Sequence, residues 1–248
     1  MPAARKSQRA PDRRYILVID VGGTHVKFRI GEHGAMQEFK SGPKMTPARM
    51  TRALRKRLGE ARYDAVSIGY PGLVYHGRIA ADPHNLGKGW LGFDFAAALG
   101  GPVRVLNDAA MQAIGSYRGG RMLFLGLGTG LGATLIIDGV VEPTEVGHMP
   151  YKHGRTFEAY VGERARKRSG NHRWRKAVRR VIKDLDAAFE PDYIVLGGGN
   201  AKRLEKLPRG VRLGGNLHAF AGGLRLWDPD SGVMTSPAAA VRRARRRR

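Results

Sequence analysis

The sequence predicts an α/β fold of two similar lobes, with mixed sheets and a cleft between them. Three observations predict it. Two look-alike glycine turns, Asp20-Val21-Gly22-Gly23-Thr24-His25-Val26-Lys27 and Leu127-Gly128-Thr129-Gly130-Leu131-Gly132-Ala133-Thr134, stand about a hundred residues apart. Each lies between two apolar, β-prone runs, 15–21 and 26–30 for the first and 122–127 and 133–137 for the second, which reads as a hairpin bent at glycine. After each hairpin, strand-like and helix-like segments alternate, and the order restarts at the second hairpin, a weak internal duplication.

The elements follow in order. Residues 45–61 read as a helix through Met50, Ala53, Leu54 and Leu58, and 65–70 as a short buried strand ended by Pro71-Gly72. A long loop, 73–92, is rich in Gly, Asn, Pro and His, the composition of a binding loop. Residues 102–106 form another strand, and Asn107 begins a helix to about Tyr117. Beyond the second hairpin, 171–189 is the clearest helix, with Trp174, Ala177, Val178, Val181, Ile182, Leu185 and Phe189 spaced three and four apart. Arg173, Lys176, Arg179, Arg180 and Lys183 occupy its other faces, and the reading favoured for them is solvated surface. Residues 192–196 read as a strand, Gly197-Gly198-Gly199 as a tight turn and 200–207 as a helix.

With 248 residues, 42% of them hydrophobic, the chain has enough for one large domain or two small lobes. There is no cysteine, which excludes disulfides and thiolate metal sites. No run approaches the roughly 20 apolar residues that cross a bilayer, and no apolar stretch of signal-peptide length follows the basic start. The expectation is a soluble cytoplasmic protein. The net charge is +23; Arg and Lys in 1–14 and the Arg-rich end supply ten of these charges, leaving +13 on the folded part. Such a surplus suits a polyanionic partner, whether nucleic acid, a membrane surface or inorganic polyphosphate. The reading divides the chain into a disordered basic tail, 1–14; a small lobe, 15–108; a large lobe, 109–227, whose last helix near 219–227 is free to pack back on the small lobe; and a disordered Arg-rich tail, 228–248.

Glycine lets backbone N–H groups approach an anion, and threonine hydroxyls add donors, so Gly22, Gly23 and Thr24 and, opposite them, Gly128, Thr129 and Gly130 are candidates to hold phosphates. Lys27 is either a phosphate contact or a surface lysine. Asn107-Asp108 closes a strand and opens a helix; the pair is either an N-cap or a catalytic dipeptide, with Asp108 accepting a proton from an attacking hydroxyl and Asn107 holding its neighbour. Glu145, His148 and Glu158 suit a polyhydroxylated ligand, since each sugar hydroxyl both donates and accepts; equally, Glu158 serves a helix start and His148 a loop. Asn85 can join that set. Trp90 reads equally well as core or as a face against a sugar.

The order and spacing of these pieces resemble the ROK sugar kinases of the actin-like ATPase superfamily, most nearly their polyphosphate glucokinase branch, from about residue 16 to 226. The stretch from Asp20 to Lys27 resembles the first phosphate motif and Leu127-Gly128-Thr129-Gly130-Leu131-Gly132 the second. Gly69-Tyr70-Pro71-Gly72-Leu73-Val74, with Asn85-Leu86 and Trp90, resembles the sugar-side loop. Leu106-Asn107-Asp108-Ala109 resembles the catalytic segment, Glu145-Val146-Gly147-His148 the ExGH signature and Gly197-Gly198-Gly199-Asn200 the nucleotide-side turn. The chain departs from the pattern in lacking the cysteine-rich zinc motif, so no zinc is expected, and in having no acidic residue soon after Asp108.

The resemblance implies the two-lobed actin-like (ribonuclease H-like) fold and phosphoryl transfer from polyphosphate, ATP or both to the 6-hydroxyl of glucose or a related hexose. It implies Asp108 as base; Asn85, Asn107, Asp108, Glu145, His148 and Glu158 for the sugar; and Asp20, Gly22, Gly23, Thr24, Lys27, Gly128, Thr129, Gly130, Gly198 and Gly199 for the donor. It also implies Mg²⁺, with Asp20 as its ligand, and admits a homodimer. The alternatives are an ATP-only hexose or N-acetylhexosamine kinase, and a non-catalytic sugar-sensing or nucleic-acid-binding protein on the same fold. Nucleic acid is disfavoured because only fourteen residues precede the first strand, too few for a helix-turn-helix.

Overall fold

Alternating burial on the hairpin strands sorts side chains into separate cores. In β1 (Ile16–Val21), Ile16 and Val18 face one core while Leu17, Ile19 and Val21 face another. In β8 (Arg121–Leu127), Met122 and Phe124 share the core of Ile16, and Leu123, Leu125 and Leu127 face a third. This two-residue period makes each strand the middle of a two-faced sheet. The structure, a computed structural model, describes residues 12, 15–215 and 217–235.

β2 (His25–Ile30) pairs antiparallel with β1, and β3 (Gln37–Lys40) with β2. The helix α1 (Pro47–Leu58), capped by Thr46, leads to β4 (Ala65–Tyr70), which runs parallel to β1. A hairpin of β5 (Val74–Tyr75) and β6 (Arg78–Ile79) and a short α2 (Phe95–Leu99) precede β7 (Val103–Asn107), parallel to β4. β7 runs straight into α3 (Asp108–Ser116). The second half repeats the plan: β9 (Leu131–Ile137) and β10 (Val140–Thr144) extend β8 antiparallel. A small hairpin, β11 (Pro150–Lys152) and β12 (Arg155–Thr156), then leads to α4 (Glu158–Val161) and α5 (Glu163–Phe189). β13 (Tyr193–Gly197) and β14 (Val211–Leu213) complete the sheet in parallel, and α6 (His218–Arg225) follows. The sheet orders are β3-β2-β1-β4-β7 and β10-β9-β8-β13-β14, the same arrangement twice.

The layers follow from the cores. α1, α2 and the loop carrying Trp90 cover the outer face of the first sheet, and α5 covers the outer face of the second. α3 and α6 lie between the sheets in the shared core. α6 also reaches the first sheet, where Ser67 Oγ donates to Gly223 O at 2.7 Å and Trp227 Nε1 donates to Ser67 Oγ at 2.9 Å.

Four expectations change. The helix read at 171–189 begins earlier, at Glu163; Gly170, at φ 78° and ψ 160°, breaks it, so only the part after the break showed a clean period. The helix expected at 200–207 is one 3-10 turn, Ala201–Arg203. Pro208 disfavours helix at Leu207, and the stretch left is too short to repay nucleation. Trp90 is fully buried, its ring 5.4 Å from that of Tyr70, so it is core and not a sugar platform. The proposed tail 228–248 starts too early: Val141 N donates to Met234 O and Met234 N to Gly139 O, tying that segment to β10. The rest of that tail, 236–248, and the tail at 1–14 except Asp12 lie outside the described residues.

Candidate active site

The ends of β1 and β7 bring two carboxyls together. Asp20 is the fifth residue of β1, opposite Lys27 in register. Asp108 is the first residue of α3, and its Oδ1 accepts the Ala109 N–H at 2.8 Å. Asn107 caps that helix, its Oδ1 accepting from Ala109 and Ala110 at 2.9 and 3.3 Å while its Nδ2 donates to Gly72 O at 3.1 Å. Asn107 therefore fixes both the helix start and the Pro71-Gly72 bend, spending its amide on the protein.

Burial pushes the Asp108 carboxyl up to about 7, with Asp20 and then Glu145 adding repulsion against the hydrogen bond from Ala109. Asp20 rises to about 6 through burial, with Lys27 opposing. Two carboxyls this near cannot both ionise freely, so one buried acid is left close to neutrality in its proton affinity. The Asp20 side chain makes no hydrogen bond or ion pair among the described residues.

The glycine turns flank this pair. In the first, Gly22 N donates to His25 O at 2.9 Å, and a β-carbon at Gly22 would stand 2.8 Å from that oxygen. Asn85 lies beside it, its Cβ 3.5 Å from where a Gly23 β-carbon would stand. Thr24 Oγ1 is 3.2 Å from His25 Nδ1, and Lys27 is exposed on β2. In the second turn, Gly128 N donates to Gly130 O at 3.2 Å. Glu158, at the start of α4, accepts from Leu131 N at 3.4 Å, and a β-carbon at Gly130 would collide with its carboxylate. Gly198, at φ 78°, packs on the backbone of Leu127, while Gly199 is open. Glu145 Oε2 and His148 Nδ1 are 3.6 Å apart, both more than half exposed.

A cavity of about 360 Å³ opens between the halves, lined by Gly72, His76, Asn107, Glu142, Glu145 and Thr235 among others. It reaches Asn107 at the end of β7 and Glu145; Asp108, Asn85, His148, Glu158 and the glycine turns do not line it.

The family model described as "ROK family" matches residues 16–163, which carry both turns, Asp108, Glu145 and Glu158. The chain belongs to the ROK family. It is 27% identical over 226 residues to a polyphosphate glucokinase of Mycobacterium tuberculosis, covering 83% of this chain and 85% of that protein. The crystal structure of an inorganic polyphosphate/ATP-glucomannokinase from Arthrobacter sp. strain KM superposes with a TM-score of 0.74 at 25% identity, covering 88% of this chain and 98% of that one. A ROK glucokinase from Streptomyces griseus, in complex with glucose and AMPPNP, superposes at 0.67 with 19% identity, covering 85% and 98%. The fold is that of the actin-like ATPases, as in these ROK structures.

Relative to the residues expected for a ROK site, the structure adds three that hold the turns; Ser41 and Glu163 escaped the sequence, and Asn200 figured there only as the end of the nucleotide-side turn. Ser41 bonds the first turn through its hydroxyl. Glu163 and Asn200 hold the second: Glu163 N donates to Gly128 O and Thr129 O, and Asn200 Nδ2 donates to Glu163 Oε2 at 2.9 Å and to Gly128 O at 3.4 Å. A forked pair with Arg166 at 2.7–2.8 Å, and then Asn200, hold the Glu163 carboxyl down to about 2. The available signal was Gly162-Glu163 at the true start of α5, hidden by Gly170.

Proposed function

We propose that the chain is a sugar kinase that transfers a phosphoryl group from polyphosphate, ATP or both to the 6-hydroxyl of glucose or a related hexose. The observation that carries this is Asp108: a half-buried carboxyl at a helix start, its proton affinity raised to about 7 by burial, by Asp20 and by Glu145, between two glycine turns. A base whose pKa lies near working pH combines a useful ionised fraction with a useful driving force. The names of the ROK relatives above support the sugar and the donors.

In this reading the hexose enters by the cavity and is held by Asn85, Glu145, His148 and Glu158, with Asn107 keeping the Gly72 bend in place. Asp108 takes the proton of the 6-hydroxyl as that oxygen attacks the terminal phosphorus. The new P–O bond forms as the bond to the rest of the donor breaks, and the shortened donor leaves with the electron pair. Gly23, Thr129 and Gly130 would offer amides, and Thr24 and Thr129 hydroxyls, to the phosphates, which is where such catalysis gains most; the Gly22 and Gly128 amides, expected among the donors, instead close the turns on His25 O and Gly130 O. Lys27 extends the positive field, and the Gly198-Gly199 turn leaves room for the far end of the donor.

No three His, Asp or Glu side chains gather to hold a metal among the described residues. The half-buried Asp20 carboxylate, with no side-chain partner among the described residues, nonetheless suits a Mg²⁺ ion that would arrive with the donor and keep most of its waters. Such an ion would offset phosphate charge.

A coupled assay for hexose 6-phosphate, with ATP and polyphosphate supplied separately, tests the proposal. Product that depends on Asp108 supports it; no product with either donor overturns it. A donor KM that climbs steeply with salt would mark polyphosphate, since a polyanion releases counterions on binding.

A further inference from the structure

Both turns have their carbonyls tied down from outside. At the first, Ser41 Oγ donates to Gly22 O at 2.6 Å and Ser41 N donates to Thr24 O at 2.8 Å. At the second, Glu163 N donates to Gly128 O at 3.1 Å and to Thr129 O at 3.2 Å, and Asn200 Nδ2 adds a bond to Gly128 O at 3.4 Å. Asn200 N also donates to Leu127 O at 3.0 Å.

The consequence comes from peptide geometry. In a trans peptide the carbonyl of one residue and the N–H of the next point in opposite directions. There are no cis peptide bonds among the described residues. Fixing Gly22 O on Ser41 therefore turns the Gly23 N–H away from Ser41. Fixing Gly128 O and Thr129 O on Glu163 and Asn200 turns the Thr129 and Gly130 N–H groups away from α5. Those three amides donate to no protein acceptor among the described residues. A carbonyl released from its tether would let the peptide rotate and present oxygen where an anion needs hydrogen.

Asn200 is 7% exposed, so its amide stays in place. Its partner Glu163 is itself held by Arg166 and Lys167. The first turn achieves the same with one side chain, the second with a network.

We propose that Ser41 and Asn200 are positioning residues that tie down the carbonyls of the two turns, aiming the amides of Gly23, Thr129 and Gly130 at the phosphoryl donor. The proposal rests on the donor reading given above. Neither residue touches the donor; each acts through the peptide it holds.

The test uses the full chain and four variants, Ser41→Ala, Ser41→Thr, Asn200→Ala and Asn200→Asp. Steady-state kinetics give the KM of donor and hexose separately, calorimetry gives tripolyphosphate affinity without turnover, and thermal melting monitors the fold. Loss of one hydrogen bond predicts a donor KM about fivefold higher for Ser41→Ala, recovered in Ser41→Thr, which keeps the hydroxyl. Asn200→Asp should cost more than Asn200→Ala, because its carboxylate would face Gly128 O and Glu163. Hexose KM should stay within about twofold in all four, since only the donor side moves. Donor and hexose KM rising together, or melting temperatures falling with tripolyphosphate affinity unchanged, overturns the proposal. A wild-type chain that binds tripolyphosphate in a Ser41-dependent way but phosphorylates no hexose would sink the kinase reading and keep this one. A wild-type chain that is an active kinase with donor-indifferent variants would do the reverse, and one that neither binds nor turns over sinks both.

Discussion

The first sheet and the second carry the same strand order, but their ends are chemically unequal. Asp20 in β1 and Gly126 in β8 occupy the same step, each one pair before the bend, opposite Lys27 and Gly132. β7 feeds directly into α3 through Asn107 and Asp108, whereas β14 is followed by Gly214 and Gly215 before α6 begins. Duplication of the scaffold supplies two similar glycine turns, while both acids of raised proton affinity sit at the end of the first sheet. From the second half, Glu145 and His148 stand on more exposed ground, Glu145 near enough to add repulsion to Asp108, while half-buried Glu158 sits on the second turn. In the proposed function, the repeated frame presents one ligand from two sides and confines proton transfer to one.

The sharpest break of that comparison is Asp108→Asn. Turnover should fall about 10²–10⁴-fold, as for other positioned bases. Stability should move the other way. Burial raises this carboxyl to about 7 from 3.8, so its contribution is fully present below pH 3.8 and is lost as pH rises through 7. Asparagine keeps the acceptor for Ala109 without the charge, so the variant should melt higher than wild type at pH 8, by an amount on the order of 1–3 kcal/mol. Unchanged turnover or a lower melting temperature would count against the assignment.

Next in size is the crossing of the two corresponding helices. A β-carbon at Gly222 would collide with Met111 O in α3, so Gly222→Ala should cost roughly 2–4 kcal/mol in chemical denaturation. A neutral substitution there would mean that the two halves are not joined through main chain.

The carboxyl pair gives a finer test. Activity of the wild type should fall as pH drops through about 7, because the base becomes protonated. In Asp20→Asn one source of repulsion disappears, and the midpoint of the residual activity should shift to lower pH. An unmoved midpoint would separate the two acids.

The smallest effect concerns the helices that cover the outer faces. α1 is capped by the Thr46 hydroxyl, which accepts from Arg49 N, whereas α5 starts at Gly162 with no side-chain cap. Thr46→Ala should lower stability by about 1 kcal/mol. Gly162→Ser, a better cap in isolation, should destabilise instead, because its β-carbon would stand 2.7 Å from Thr129 O.

Much of this was legible in sequence because it is local. Glycine between alternating apolar runs specifies a hairpin, and both hairpins form where expected. Asn107 before Asp108 marks a helix start whichever role is chosen, and the structure gives Asn107 the cap. The periodicity after Gly170 set the buried face of α5, where Trp174, Val178 and Val181 are covered. What escaped depends on contacts distant in the chain. Ser41 meets Gly22 across 19 positions and Asn200 meets Gly128 across 72. Trp90 reads equally as core or as a sugar platform until Tyr70 and Phe95 close around it. The segment 200–207 has helix-forming residues, yet Asn200 is committed to the second turn and only one 3-10 turn forms.

The crossing of α3 and α6 has one more consequence. Gly115 abuts His218 O and Gly222 abuts Met111 O, so backbone meets backbone with no interlocking knobs at that point. Side chains clamp the same crossing, with Ser116 Oγ and His218 Nδ1 2.6 Å apart and Arg225 donating to Ile114 O and Tyr117 O. The spine between the two sheets is thereby riveted main chain to main chain, a rigid keel against which each glycine bend keeps its place.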